Sequence, residues 1–525
     1  MAARLSENGR YRVLLLEAGP EDSAFWIKVP MGYPMLFTNP KVNWMFESEP
    51  EPELRNRRMY QPRGKVLGGT SSINGMLYIR GNHRDYQTWR QMGNEGWDWE
   101  DVLPYFRKAE DQTRGESEYH GVGGPLTVSD APLKHKLSDA IVDAAVQAGL
   151  PRNPDFNGPS QEGAGFFQTT TRNRRRWNTS QAYLKPARSR SNLKVITNAH
   201  TTKVLTKDGR AVGIEFRTPS GIQTAMASRE VIVCGGAFGS PHLLQLSGIG
   251  PAQHLADQGI DVVRDLPGVG SNLRDHFYAS LMFRCPKPIT INDLANNPLR
   301  RVWAGMQYVF LKQGPLSGNG IYAGIFGRSD PSKEQPDIQI NTNLWTVASR
   351  DKSGMKPHPF PGFTMSPVHL APQSLGSVRL RSSDPFADPE IRMNFFRVPS
   401  DITAMINGVR LVRTIASQDA LKPFNSGEVS TGKDSHTDDE IEGWLRETAI
   451  ANLHPVGSCR MGHDPMAVVD PQLRVHGVRG LRVVDASVMP ALPSGNTNAP
   501  TIMIAERASD MVLEEARRFS PAEAA

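Results

Sequence analysis

Three short runs of continuous apolar residues, each closed by a turn, lie far apart in the chain. Arg12–Glu17 (RVLLLE) runs into Ala18-Gly19-Pro20, Val231–Cys234 (VIVC) into Gly235-Gly236-Ala237, and Leu481–Val484 (LRVV) into Asp485-Ala486-Ser487. Unbroken apolar residues ending in a turn are the pattern of strands covered on both faces in a parallel sheet. Strands drawn from both ends of a 525-residue chain require other material to be inserted between them. The fold class is therefore α/β, built from discontinuous segments. Further strands are predicted at Leu193–Thr197, Lys203–Leu205 and Val212–Phe216, and helices at Asp401–Ser417, Asp438–Thr448 and Thr501–Arg517. The last helix has Pro500 at its expected first position, where a missing N–H costs nothing. The stretch Arg284–Pro372 is rich in Pro, Asn and aromatic residues with weak periodicity, and reads as a substrate-side region of shaped loops.

The length allows several domain-sized units at about 150 residues each, with a large buried core. A net charge of +6 over 525 residues does not imply a nucleic-acid partner. The most basic cluster, Thr171–Trp177, reads as a solvated or acid-paired loop, because neither further clusters nor interleaved aromatic residues accompany it. Cys234, Cys285 and Cys459 are too few and too scattered for a disulfide framework, which fits a reducing compartment. No apolar run reaches the length of a transmembrane helix, and MAARLSENGRYRV has no apolar core of a signal peptide. Asn178-Thr179-Ser180 matches a glycosylation acceptor, but without a secretion signal the match is read as chance.

Three segments carry chemistry. Gly64–Gly75 (GKVLGGTSSING) is the densest small-residue stretch; its glycines let backbone N–H groups approach a phosphate or ring, and its hydroxyls can donate. An ordinary surface turn is the bland alternative. Gly235–Pro241 directly follows a predicted buried strand, as a nucleotide-binding turn must, although close strand–helix packing would look the same. Leu453–His463 (LHPVGSCRMGH) leaves three readings open for His454: a general base near neutral pH, a buried structural histidine, or a metal ligand with Cys459 and His463. The metal reading is disfavoured because the spacing has no matching second half.

In this order the segments resemble the glucose–methanol–choline family of FAD-dependent alcohol oxidoreductases. GKVLGGTSSINGMLYIRG at Gly64–Gly81 is similar to its first signature and GAFGSPHLLQLSGIG at Gly236–Gly250 to its second. HPVGSCRMG at His454–Gly462, with the residues through SGNTNAPTIMIAE after it, is similar to the C-terminal active-site region. The resemblance implies a Rossmann-like FAD domain from residues 1–135, 190–280 and 465–525. It also implies an α+β substrate domain with a mostly antiparallel sheet from 136–189 and 281–464. Glu17, ending the second strand of the nucleotide fold, would accept hydrogen bonds from the adenosine ribose. Val66, Gly69, Asn74, Gly75, Met76 and Leu77 would line the flavin ring and phosphates, and the backbone of Val204 would meet the adenine. Asp485 and Ala486 would hold the ribityl chain and diphosphate, and Ala237 and Thr497 also belong to the implied cofactor set. His454 matches the catalytic histidine and Asn496 the second polar residue of the active site. No metal is implied.

The implied reaction oxidises a primary alcohol to an aldehyde: His454 takes the hydroxyl proton, Asn496 holds the oxygen, and flavin N5 receives the hydride. The helix starting at about Thr501 would stabilise charge near flavin N1. Electrons would pass to a quinone- or cytochrome-type acceptor. Alternatives are an oxygen-using oxidase, a hydroxynitrile lyase, or an inactive, N-terminally truncated paralogue. A choline-like cation would need an aromatic or acidic cage, for which Trp303, Tyr308, Trp345 and Phe363 are available. Some members link FAD covalently at the position of Ile73, where an aliphatic side chain cannot, so dissociable FAD is expected. The family's opening strand and G-x-G-x-x-G turn are absent, and MAARLSE resembles the end of the first helix. The expectation is that about 25 to 30 residues, a strand–turn–helix opening, precede Met1. A cytoplasmic or peripherally membrane-associated protein, possibly a homo-oligomer, with a small alcohol as its partner completes the reading.

Overall fold

In the computed structural model of the protein, residues 1–518 are described. The strands that position the site are, in chain order, β1 (Val13–Leu16), β2 (Gly163–Phe166), β3 (Leu193–Ile196), β4 (Val231–Val233) and β5 (Phe277–Tyr278), then β6 (Leu281–Arg284), β7 (Ala323–Gly327), β8 (Ile338–Asn343), β9 (Gly362–His369), β10 (Ile450–Ala451) and β11 (Leu481–Val483). The helices are α1 (Gly236–Leu246), α2 (Pro298–Leu311) and α3 (Asn498–Arg518).

The three apolar runs form the predicted strands, and both of their pairings are parallel. Val13 to Leu16 of β1 stand opposite Leu193 to Ile196 of β3, and Val231 to Val233 of β4 opposite Leu481 to Val483 of β11. The fold is thus α/β, with one parallel pair joining residues more than 170 positions apart and the other joining residues about 250 apart. Residues of β1 and β4 line one cavity together with Ile502, Ala505 and Val512 of α3. Ala2–Leu5 is a short helix without a side-chain cap at Met1.

The larger sheet runs β10-β5-β9-β8-β7-β2, with β6 also pairing β9, and every pairing in it is antiparallel. Its central strands come from the region where weak periodicity read as shaped loops and the family resemblance implied a mostly antiparallel sheet. All eight residues of β9 and all five of β7 are buried. A strand covered on both faces shows no polar alternation, so period-2 reading passes over it. The helix predicted at Asp438–Thr448 has those bounds, and the one predicted at Asp401–Ser417 spans Pro399–Ala416. The final helix begins at Asn498, three residues earlier than expected, so Pro500 is its third residue; a proline is tolerated anywhere that the N–H has no intrahelical acceptor. The assignment of 1–135, 190–280 and 465–525 to one domain and of 136–189 and 281–464 to a second remains our proposal. Phe277–Tyr278 of the antiparallel sheet lies just outside the second set.

The turn after β1 is locked to the first signature segment. Pro20 O accepts from Leu67 N–H at 3.0 Å, and Gly19 O from Asn198 N–H at 2.9 Å. A Cβ on Gly19 would come within 1.8 Å of the Lys65 carbonyl oxygen. Backbone cannot yield as a side chain can. Gly19→Ala is expected to lower stability by about 3 kcal/mol, read as the urea midpoint against wild type. An unchanged midpoint would show that this contact does not hold the turn.

Candidate active site

A cavity of about 1840 Å³ takes its walls from both ends and the middle of the chain. It exceeds the roughly 300–1,000 Å³ of ordinary ligand pockets. Of the residues singled out in the sequence, Glu17, Gly69, Asn74, Gly75, Met76, Leu77, Ala237, His454, Asp485, Ala486, Asn496 and Thr497 all line it. Val66 and Val204 do not. Val66 is packed with Ile27, Leu36, Val42 and Ile73. Val204 faces a hydrophobic core, and its N–H donates to Ser247 Oγ at 2.8 Å. In that segment Ala199, His200 and Thr201 line the cavity wall, and a contact of the Val204 backbone with the adenine remains our proposal.

Along one side of the cavity the backbone is shaped to approach a ligand. Gly68, Gly69 and Met76 have φ of +88°, +55° and +63°, and Gly69 has open space where a Cβ would stand. Met76 in the left-handed region is a strained position, of the kind found at ligand clamps; the Asn74 side chain accepts its N–H at 3.1 Å. Glu17 accepts from Gly19 N–H at 2.8 Å, and burial pushes its carboxyl up to about 7 against the pull of Lys65. The first donors of α1 are partly used internally, since Asp485 accepts from Gly236 N–H at 2.9 Å and from Ser240 Oγ at 2.5 Å. Its other oxygen accepts from Ser487 N–H at 2.8 Å. Open space at Gly236 and Gly239, both on the cavity wall, leaves α1 accessible beyond that bond.

His454 is held from the backbone outward. The preceding residue, Leu453, has φ +69°, a conformation costing a non-glycine residue about 1–2 kcal/mol. Two bonds hold the strain: the Leu453 carbonyl accepts from Arg63 Nη2 at 2.8 Å, and His454 N–H donates to Asp275 Oδ1 at 2.6 Å. Asp275 is buried, and Arg63 is half-buried where it reaches the cavity wall. Burial pushes Arg63 down to about 10 and Asp275 up to about 7, each opposed by the other's charge.

Hydrogen-bond direction then fixes the imidazole. His276 Nε2 lies 3.1 Å from the Leu370 carbonyl, which can only accept, so Nε2 carries the proton and Nδ1 of the neutral ring accepts. His454 Nδ1 is 3.0 Å from that Nδ1 and must be the donor. Asn452 Nδ2 also lies 3.2 Å from His454 Nδ1. With Nδ1 protonated the two nitrogens both carry hydrogen, so the bond requires the Asn452 amide turned to present its oxygen, and Nε2 of His454 is left as an acceptor facing Asn496 Nδ2 at 2.9 Å. Gln339 Nε2 donates to Asn496 Oδ1 at 3.5 Å, which orients that amide. Burial first, and the Arg63 charge second, hold the His454 imidazole at about 3, so it is neutral at ordinary pH. The result is a neutral base with one lone pair beside one amide donor.

The sequence did not single out Arg63, Asp275, His276, Gln339 or Asn452. The only trace of them is the adjacent Asp275-His276, which follows Arg274 and precedes the strand Phe277–Tyr278. Among the described residues there is no group of three metal-ligating side chains, and His463 is exposed. Of the four aromatic residues considered for a cation cage, Trp345 lines the cavity; Trp303 is exposed on α2, and Phe363 and Tyr308 are buried.

Two family models described as GMC oxidoreductase match this chain, over residues 15–278 and 372–505. An oxygen-dependent choline dehydrogenase of Rhizobium rhizogenes is 42% identical over 98% of this chain and 94% of its own length. A second, of Sinorhizobium fredii, is 43% identical over 98% and 93%. Among solved structures, pyridoxine 4-oxidase from Mesorbium loti superposes with a TM-score of 0.88 at 29% identity, covering 98% of this chain and 96% of its own. A formate oxidase of Aspergillus oryzae, studied for FAD modification, gives 0.92 at 26%, covering 99% and 96%.

A histidine that folds neutral near pKa 3 but unfolds to 6.5 leaves the unfolded chain holding more protons between those values. Its contribution to stability is therefore present above pH 6.5 and lost as pH falls. His454→Asn removes this loss while keeping Asp275. The variant should gain on wild type by up to about 1.4 kcal/mol per pH unit below about 6, measured by urea unfolding at pH 7 and 5. A difference independent of pH would place an ordinary, solvated histidine at 454.

Proposed function

The chain belongs to the GMC oxidoreductase family, and from that premise we propose that it oxidises an uncharged primary alcohol to the aldehyde. The observation that carries the proposal is the directional chain from Leu370 through His276 to His454, which leaves Nε2 as the acceptor at the cavity wall. FAD is the cofactor, and it would supply the acceptor for the two electrons and hydrogen leaving carbon. The residues fit it: the left-handed backbone at Gly68, Gly69 and Met76 would lie against ring and phosphates, and the Glu17 carboxyl would accept from ribose hydroxyls. Ile73 is aliphatic and fully buried and offers no atom for a covalent link, which supports non-covalent binding.

The protein's own residues handle the proton. An alcohol hydroxyl entering between His454 and Asn496 donates to Nε2 and accepts from Nδ2, so its oxygen gains negative charge as the proton leaves. Proton transfer makes the imidazole cationic, and the buried Asp275 and the His276 Nδ1 acceptor stand behind it to hold that charge. The Leu453 clamp prevents the ring from swinging away.

Charge at the site favours an uncharged substrate. Tyr278, Ser280, Ile321, Asn341, Trp345 and Ser366 line the substrate side, and none of them is a carboxylate or a basic side chain. Of the cavity's carboxylates, Asp485 accepts three hydrogen bonds within the protein, Glu506 and Glu230 pair with Arg4 and Arg482, Glu17 follows β1, and Asp388 lines the wall beside Phe386. Arg63, behind His454, opposes a cation. A choline-like substrate is the second reading, favoured by the names of the relatives and by the rings of Tyr278 and Trp345. Electrons would then pass to a quinone- or cytochrome-type acceptor.

In a screen with an artificial electron acceptor, kcat/KM for an uncharged primary alcohol should exceed that for choline by at least about tenfold, 1.4 kcal/mol of discrimination; the reverse order would favour the second reading. His454→Ala should slow anaerobic bleaching of the flavin by about 10²–10⁴-fold with FAD content retained, and Asn496→Ala by less, since it removes one hydrogen bond. A His454→Ala rate within about threefold of wild type would reassign the base. Acid precipitation should leave the flavin in the supernatant; colour held in the washed pellet would contradict non-covalent binding.

A further inference from the structure

Helix α2 is amphipathic in the reverse of the usual sense. Leu299, Val302, Trp303, Met306, Val309, Phe310 and Leu311 are all exposed, Leu299 by 81% and Phe310 by 78%, while Ala304 and Tyr308 are its buried residues. Leu299, Trp303, Met306 and Phe310 follow the spacing of one helical stripe. A soluble surface rarely carries so many large apolar side chains side by side.

The patch continues onto its neighbours. Beneath it, Tyr308 Oη donates to the Lys28 carbonyl at 3.1 Å and to the Arg174 carbonyl at 3.3 Å, which packs the short helix Phe25–Lys28 and the 173–174 turn against α2. Phe25 and Trp26 of that helix are exposed by 53% and 40%. The charges around this face have one sign. Lys28, Arg174, Arg175, Arg300 and Arg301 are exposed, Lys312 is half-buried at the end of the helix, and the chain has no acidic residue between Asp293 and Asp330. Exposed tryptophan, phenylalanine and leucine bordered by arginine and lysine match what an interfacial helix presents to lipid. Among the described residues no helix is long and apolar enough to cross a membrane. The segment from Phe25 to Phe37 links this face to the cavity, since Tyr33 and Phe37 line it.

We propose that the outward face of α2, with Phe25 and Trp26, docks the enzyme on an anionic lipid bilayer. The apolar side chains enter the headgroup boundary, the arginines and lysines meet the lipid phosphates, and the cavity wall at Tyr33 and Phe37 is brought close to the bilayer.

Co-sedimentation of the flavin-loaded enzyme with extruded vesicles tests this without reading turnover. The wild type should pellet with an equal mixture of phosphatidylglycerol and phosphatidylcholine, and at least about tenfold less with phosphatidylcholine alone. Raising salt from about 0.1 to about 0.5 M should weaken the binding. Trp303→Glu with Phe310→Glu should lower the bound-to-free ratio at least about tenfold, with the thermal midpoint and turnover of a water-soluble alcohol unchanged. Arg300→Glu with Arg301→Glu should remove the preference for the anionic vesicles. Equal pelleting of wild type and both variants, or no pelleting of wild type at low salt, would overturn the proposal. So would a dimer in solution that Trp303→Glu with Phe310→Glu splits while wild type ignores vesicles, which would give the face to a second copy of the chain.

Discussion

The carbonyl of Leu370 accepts and cannot donate, and the chemistry of the site follows from that one-way bond. At 3.1 Å from His276 Nε2 it sets the proton on that nitrogen. His276 then presents a bare Nδ1 to His454, and His454 in turn presents a bare Nε2 to the cavity. Each ring is neutral because burial makes its cation costly; burial also holds His276 far below the ordinary range. A neutral base in a dry site is poised to take a proton from a weak acid such as an alcohol once substrate excludes water.

The cofactor side depends on a different economy of polar groups. Asp485, at the end of β11, accepts three donors, two from the start of α1 and one from its own turn. That carboxylate joins strand ends about 250 residues apart in sequence and keeps the 3-10 turn Ala486–Val488 against α1. Thr497 and Asn498, at the start of α3, come to the same wall. The parallel strands thus deliver their C-terminal turns to one place, where ligands bind in open α/β sheets. Leu453 and Met76, both left-handed without being glycine, show that the loops are held to shape from outside rather than by local preference.

What the sequence made legible was local chemistry. The glycine-dense 64–75 segment, the strand–turn at Val231–Ala237 and the His454 loop each announce themselves by residue type within a dozen positions, and all three reach the cavity. The partners of His454 do not: Arg63, Asp275 with His276, and Gln339 come from three separate places in the chain and form a network only after β5, β8 and β9 have paired. Strands β7 and β9 were hidden because burial on both faces erases the alternation that marks a strand. Val204 stands back from the cavity wall for a local reason. It lies on a strand spanning His200–Lys207, longer than the predicted Lys203–Leu205, whose first residues alone reach the cavity while Val204 turns to the core.

The central claim is that His454 Nε2 and Asn496 Nδ2 together receive the substrate oxygen. A crystal structure of the FAD-loaded enzyme with an uncharged alcohol bound tests it most directly. The account predicts the hydroxyl oxygen within hydrogen-bond reach of both atoms, about 2.6–3.2 Å, with His454 Nδ1 still against His276. An alcohol bound with its oxygen remote from Nε2, or a ring turned so that Nδ1 faces the cavity, would contradict it.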